Sequence, residues 1–310
     1  MNSNKKIFSK IGFNYLIYAI SAFIIMTILT DVITFTKPEL LNSIEILTIL
    51  SSISNYLLPF PILVFLMKKL DTQKLETNKL NVKTFLIYIC ITITLMLIGN
   101  IIGLIITNLL GGVLQIDISN PAQNLIHSAG LWLNVLLISI IGPIFEEYFF
   151  RKLLIDRTIK YGARVSIILS AILFGLFHGN LNQFFYCTLI GGFFAYVYIK
   201  TGKLTYTILL HIIINMMGSV VSLFWANSFT NLTTGAINSF DLSFVLIYTV
   251  VLIIMLVIGL TKLLKYKKAK FNGQKTEISL KQPLKTMFLN IGMICFIMYF
   301  IIKIIMQIIG

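Results

Sequence analysis

The chain has 310 residues, 57% of them hydrophobic and 12% charged, with a mean hydropathy of +0.92. A soluble domain carries about a quarter of its residues as charges, so this composition excludes an ordinary water-soluble enzyme and points to a membrane protein. The net charge of +14 suits either nucleic acid or a membrane surface, and its placement along the chain decides between them.

Apolar runs long enough to cross about 30 Å of hydrocarbon, roughly 20 residues each, recur at 12–30, 46–67, 84–110, 129–150, 165–179, 183–199, 204–225, 243–261 and 286–309. They predict an all-α, polytopic transmembrane bundle of eight or nine helices, a single integral membrane domain over residues 1–310. The first run is too long for a signal peptide and lacks a small-residue cleavage site before Asp31, so it reads as a retained helix. With the segment MNSNKKIFSK on the cytoplasmic side, the inward loops are 1–10, 68–83, 151–164, 200–203 and 262–285, and they hold 23 of the 25 Lys and Arg. Lys37 is the one cation in an outward loop, and Lys303 falls in the last run.

This asymmetry follows the positive-inside rule for a multi-pass protein of the cell membrane with a cytoplasmic N-terminus. It predicts contact with anionic lipid heads and leaves no basic stretch, KLLKYKKAK included, that needs nucleic acid as a partner. Cys90, Cys187 and Cys295 stand alone in apolar segments, without paired spacing; they read as free thiols. No internal repeat or interdomain linker stands out, and the basic stretch 262–285, with Pro283, reads as a loop before the last helix.

Ionisable groups are costly inside a bilayer and by default mark functional sites. Within the spans they are Glu146, Glu147, His178 and His211; Lys303 is near enough to an end to snorkel, and His127 belongs beside the outward loop before helix 4. In GPIFEEYFFR, residues 142–151, Glu147 and Arg151 are four apart on one helical face, in the favourable order for an ion pair. Glu146 is rotated about 100° from Glu147 and keeps no partner in sequence, as a general base requires. Pro143 removes a backbone donor just ahead of the acids. Arg151 and Lys152 suggest that this pair sits near the cytosolic rim, which would place Glu146 shallower than the histidines.

In SAILFGLFHGN, Phe174 and His178 are four apart, and Gly175 with Gly179 forms a small-residue pair that admits a neighbouring helix. The two runs from 165 to 199 are short for a fully crossing hairpin, so their tip is expected within the bilayer or tilted inward, with helix 4 free to extend beyond Arg151. In LLHIIINMMG, His211 and Asn215 again share one face.

Taken in order, these three segments fit EExxxR, FxxxH and HxxxN, and the chain resembles the CPBP family of intramembrane proteases. That family includes the eukaryotic CAAX prenyl endopeptidase and the bacterial Abi and bacteriocin-processing proteins. Each motif alone is weak; the ordered trio is specific, and it defines a catalytic core over 129–225, helices 4 to 7.

The resemblance implies an intramembrane endopeptidase acting on a membrane-associated peptide or protein. Glu146, aided by His178, would activate water; His211 and Asn215 would stabilise the oxyanion; Glu147, Arg151 and Phe174 would support them. The family is described both as metal-free glutamate enzymes and as metalloproteases. The metal-free reading, with no cofactor, is favoured here because no HExxH is present; Glu146, His178 and His211 are the set that would hold zinc in the other. A non-catalytic scaffold or bacteriocin-immunity protein on the same fold is the first rival. A proton-coupled transporter is the second, and it lacks the repeated halves that such carriers show. The lysine-rich, low-charge composition suggests a bacterial source, where a peptide precursor is a more natural substrate than a prenyl protein.

Overall fold

The computed structural model describes residues 3–236, 238–265 and 277–309. It is an all-α polytopic membrane bundle, with no strand among the described residues. Eight helices are long and apolar enough to span: α1 Ser3–Thr36, α2 Ile44–Lys68, α3 Val82–Leu114, α4 Leu131–Tyr161, α6 Leu181–Thr201, α7 Leu204–Thr233, α8 Ser239–Lys265 and α9 Ile291–Ile309. A shorter apolar helix, α5 Ala163–Phe177, lies between the fourth and fifth of these. The part of the basic stretch at 266–276 lies outside the described residues.

Local chemistry sets the ends. The Asn81 side chain accepts from Thr84 N at 2.7 Å to start α3, and Asn180 accepts from Gln183 N at 2.8 Å to start α6. Gly162 at φ 104° breaks α4 from α5.

Packing follows membrane logic, in which small residues let backbones approach and large apolar side chains face outward. α1 crosses α9 where Gly12 meets Gly292; a Cβ on Gly292 would sit 1.9 Å from Ser9 O. α5 meets α6 where a Cβ on Gly175 would sit 2.1 Å from Thr188 Oγ1. The other glycine of that pair, Gly179, ends the helix at φ 64° instead of serving a packing face, and the stem of Lys303 lies against it. The outer faces carry exposed Phe240, Ile247, Val250 and Ile254 on α8 and Ile101, Leu104 and Ile105 on α3, as lipid contact requires.

Two expectations about depth change. α4 does not end at Arg151 but runs to Tyr161, and Arg151 and Arg157 are 0% and 6% exposed. Both cations are held by the bundle: Arg157 donates to Met67 O at 2.7 Å and to Leu153 O at 2.8 Å, and Arg151 pairs with Glu147. Glu146 thus lies about 22 Å from the end of α4, at 1.5 Å per residue, and His178 about 22 Å from the start of α5. The apparent shallowness of Glu146 disappears. α5 itself rises only about 22 Å, shorter than the roughly 30 Å hydrocarbon core.

Candidate active site

Two prolines shape the walls of the site. In α4 the turns widen over Asn134–Ile141 into π geometry, so that Gly142 N donates to Leu137 O, five residues back. The next donor in that register is Pro143, which has no N–H, and Ile138 O is left without its helical partner. Asn215 of α7 supplies the missing bond: its amide donates to Ile138 O at 2.9 Å. The Ser139 and Ser219 hydroxyls, 2.8 Å apart, and the Ser219 hydroxyl on Asn215 O at 2.8 Å extend the seam.

In α2, Pro59 likewise cannot serve Asn55 O, four residues back, and the Tyr18 hydroxyl donates to it. This stretch, Ile53–Leu57, is also π-widened and carries Tyr56. A second wide stretch of α4, Tyr148–Leu153, offers Phe149 O to the Tyr15 hydroxyl at 2.6 Å and Phe150 O to the Ser170 hydroxyl at 2.8 Å.

The adjacent acids are sent to different partners. Glu147 is fully buried; Arg151 Nε lies 3.0 Å from its Oε2 and Arg151 Nη2 donates to its Oε1 at 3.2 Å. The Arg151 guanidinium is held further by Ser170 Oγ at 2.9 Å and by the Phe174 ring, 4.8 Å from its centroid. Glu147 Oε1 also lies 2.9 Å from His211 Nδ1. An ionised carboxylate only accepts, so Nδ1 carries the proton and the ring is fixed in tautomer and orientation. The supporting role that the resemblance implies for Glu147 takes the form of contacts with Arg151 and His211.

Glu146 makes no contact with Arg151. Its Oε1 accepts from the Tyr56 hydroxyl at 2.6 Å, and its Oε2 faces His211 Nε2 at 3.7 Å. Its side chain keeps 11% of its surface open, the partial access that a base must have to meet water. Tyr56 also stacks on Phe145, with centroids 5.7 Å apart.

His178 closes α5, with Nδ1 2.8 Å from Phe174 O. The carbonyl accepts, so Nδ1 donates and Nε2 keeps its lone pair. Phe174 bridges the two imidazoles edge-on, 4.9 Å from the His178 ring and 5.7 Å from the His211 ring. Glu146, Glu147, Arg151, Phe174, His178, His211 and Asn215 are thus gathered on α4, α5 and α7, with α2 contributing Tyr56. His127 stands apart, exposed on the short helix Pro121–Ser128. Among the described residues no three His, Cys, Asp or Glu side chains are grouped to hold a metal ion: the one short contact of the Glu146, His178 and His211 set is 3.7 Å, and His178 spends Nδ1 on a carbonyl. No step below is routed through a metal. The three cysteines are free thiols.

Comparison with known proteins coincides with this region. Residues 128–217 match the family model described as type II CAAX prenyl endopeptidase Rce1-like. The chain is similar, at 29% identity over 92 residues, to a Bacillus subtilis (strain 168) protein named "Putative membrane peptidase YdiL". That match covers 29% of this chain and 38% of the relative's length. No solved structure matches. These matches fall on the segment that carries the three ordered motifs, and over it the chain is similar to the type II CAAX prenyl endopeptidase Rce1-like family.

Proposed function

We propose that the chain is an intramembrane endopeptidase that hydrolyses a peptide bond in a membrane-associated peptide or protein, with Glu146 as the general base and residues 129–225 as the catalytic core. The observation that carries this reading is the division of labour between the neighbouring acids. Arg151 neutralises Glu147 and leaves Glu146 to Tyr56 and His211. A carboxylate held by a hydroxyl and facing an imidazole, with no guanidinium or ammonium clamped on it, is free to take a proton.

In the proposed reaction Glu146 Oε2 removes a proton from water while the lone pair on His178 Nε2 holds the water's other hydrogen. The water oxygen adds to the substrate carbonyl carbon and charge develops on the carbonyl oxygen. His211, held at Nδ1 by Glu147, donates from Nε2, and the second amide hydrogen of Asn215 donates beside it. Such a donor lowers the barrier by about 3 to 4 kcal/mol in hydrolases. Glu146 then passes its proton to the departing nitrogen as the C–N bond breaks.

The predicted topology places the N-terminus and the basic loops in the cytoplasm of a bacterial cell, with anionic lipids at that face. Neither nucleic acid nor a cofactor is required. The test is a comparison of cell-associated and secreted peptides from cells carrying the wild type or Glu146→Gln. The proposal expects an uncleaved precursor to accumulate only with the variant, expressed at the wild-type level. Identical peptide profiles from two folded proteins would refute it.

A further inference from the structure

Away from the site, five cations line one cavity at the end of the bundle. The cavity, about 290 Å³, is formed by Ser3, Lys6, Ile7 and Lys10 of α1, by Lys69, Leu70 and Asp71 after α2, and by Arg157 and Lys160 of α4. The first four residues stand at i, i+3, i+4 and i+7, so they are one stripe of α1 and not a scatter of loop charges. Ile7 of that stripe is half-buried against the core, while Ser3, Lys6 and Lys10 are exposed along the cavity.

Like charges brought together repel, and the single carboxylate compensates weakly, since Lys160 Nζ stands 4.0 Å from an almost fully exposed Asp71 carboxylate. Lys6 and Lys10 have no ion-pair partner among the described residues. Arg157, on the buried side of the cavity, is anchored by Met67 O and Leu153 O. A fixed guanidinium with spare N–H donors, beside the ammonium groups of four lysines, is a donor set that recognises phosphate oxygens.

We propose that this cavity is a binding site for a phosphate-bearing anion, and that its occupant is the headgroup of an anionic phospholipid. The lipid source is argued by position. The cavity lies among the first turns of α1, the end of α2 and the last turns of α4, and Ile7 and Leu70 line it beside the charges, so a glycerol backbone can rest on the apolar wall while the phosphate meets the cations. The inference does not depend on the proteolytic reading.

The full chain, purified in a nonionic detergent, is titrated with phosphatidylglycerol or phosphatidylcholine, and bound lipid is read as mass adducts in native mass spectrometry. Phosphatidylglycerol is expected to saturate at one site, with phosphatidylcholine bound at least about tenfold more weakly. Lys6→Gln/Lys10→Gln is expected to reduce phosphatidylglycerol affinity about tenfold or more, at about a factor of five per lysine. Lys281→Gln/Lys285→Gln, which removes equal charge outside the cavity, is expected to leave it unchanged. Lys69→Gln/Lys160→Gln tests the opposite wall should the first variant fail to fold.

Inorganic phosphate separates the two sources of the anion. Displacement of lipid only at large excess assigns the site to the headgroup; binding of phosphate as tightly as lipid, lost in the same variants, keeps the phosphate chemistry but overturns the lipid source. Equal losses in cavity and control variants, or equal binding of the two lipids, would overturn the site.

Discussion

At the scale of single residues, the site turns on where each polar hydrogen goes. Tyr56 donates to Glu146 at 2.6 Å, and a hydrogen bond to a charged group contributes about 1.5 to 3 kcal/mol. Tyr56→Phe keeps the ring and its stacking on Phe145 but releases the carboxylate. The expected outcome is a fall in cleavage rate of about tenfold or more with the unfolding temperature little changed, measured on the purified variant. Unchanged cleavage would show that Glu146 needs no such restraint. Glu146 stood out in the sequence as an ionisable group in an apolar run, and His178, His211 and Asn215 through four-residue spacing, which on a helix is a local property. Tyr56 did not: it is one of 13 tyrosines, it stands 90 positions from its partner, and no periodicity singles it out. The Glu147 to His211 contact was equally hidden, since the local pairing with Arg151 already explained the acid.

At the scale of the element, the recurrent device is a proline that orphans a carbonyl and a polar side chain from another helix that serves it. Asn215 on Ile138 O is the case at the site. Asn215→Ala should destabilise the protein by about 1 to 3 kcal/mol, the cost of a buried unsatisfied carbonyl. In a Pro143→Ala background, where residue 143 regains its N–H, the same change should cost much less. Unfolding of the four proteins in detergent gives the coupling directly, and an equal cost in both backgrounds would contradict this role for Pro143.

The α5 to α6 contact supplies a second test. A Cβ at Gly175 would sit 2.1 Å from Thr188 Oγ1 and 2.9 Å from Phe184 O, so Gly175→Ala must push α5 aside and carry His178 with it. Loss of cleavage by about a hundredfold is expected in a protein that still folds, read as rate against circular dichroism. The sequence revealed Pro143 and Gly175 as signals. The π-widened turns were not visible in it, because they depend on which carbonyls neighbouring helices can satisfy. The end of α4 was misplaced for a related reason: Arg151 and Arg157 look like rim charges until Glu147, Ser170 and Met67 are brought against them.

At the scale of the whole molecule, apolar run lengths and the one-sided distribution of lysine were enough to expect the bundle and the number of spans, because hydrocarbon imposes both. The orientation they predict is open to measurement. Thr72 and Thr234 lie in exposed connections that the topology puts on opposite sides of the membrane. With Thr72→Cys and Thr234→Cys introduced singly, an impermeant maleimide added to intact cells should label only position 234. Labelling of position 72 alone would invert the topology. Inside this frame the central claim is that Glu146 draws a proton from water to cut an amide. Its most direct test uses membranes from cells carrying Glu146→Gln, in which precursor accumulates, mixed with purified wild-type protein in oxygen-18 water. The account predicts peptides whose new C-terminal carboxyl carries the heavy oxygen, formed by the wild type and reduced about 10² to 10⁴-fold with added Glu146→Gln protein. No labelled terminus, or equal labelling by both proteins, would contradict it.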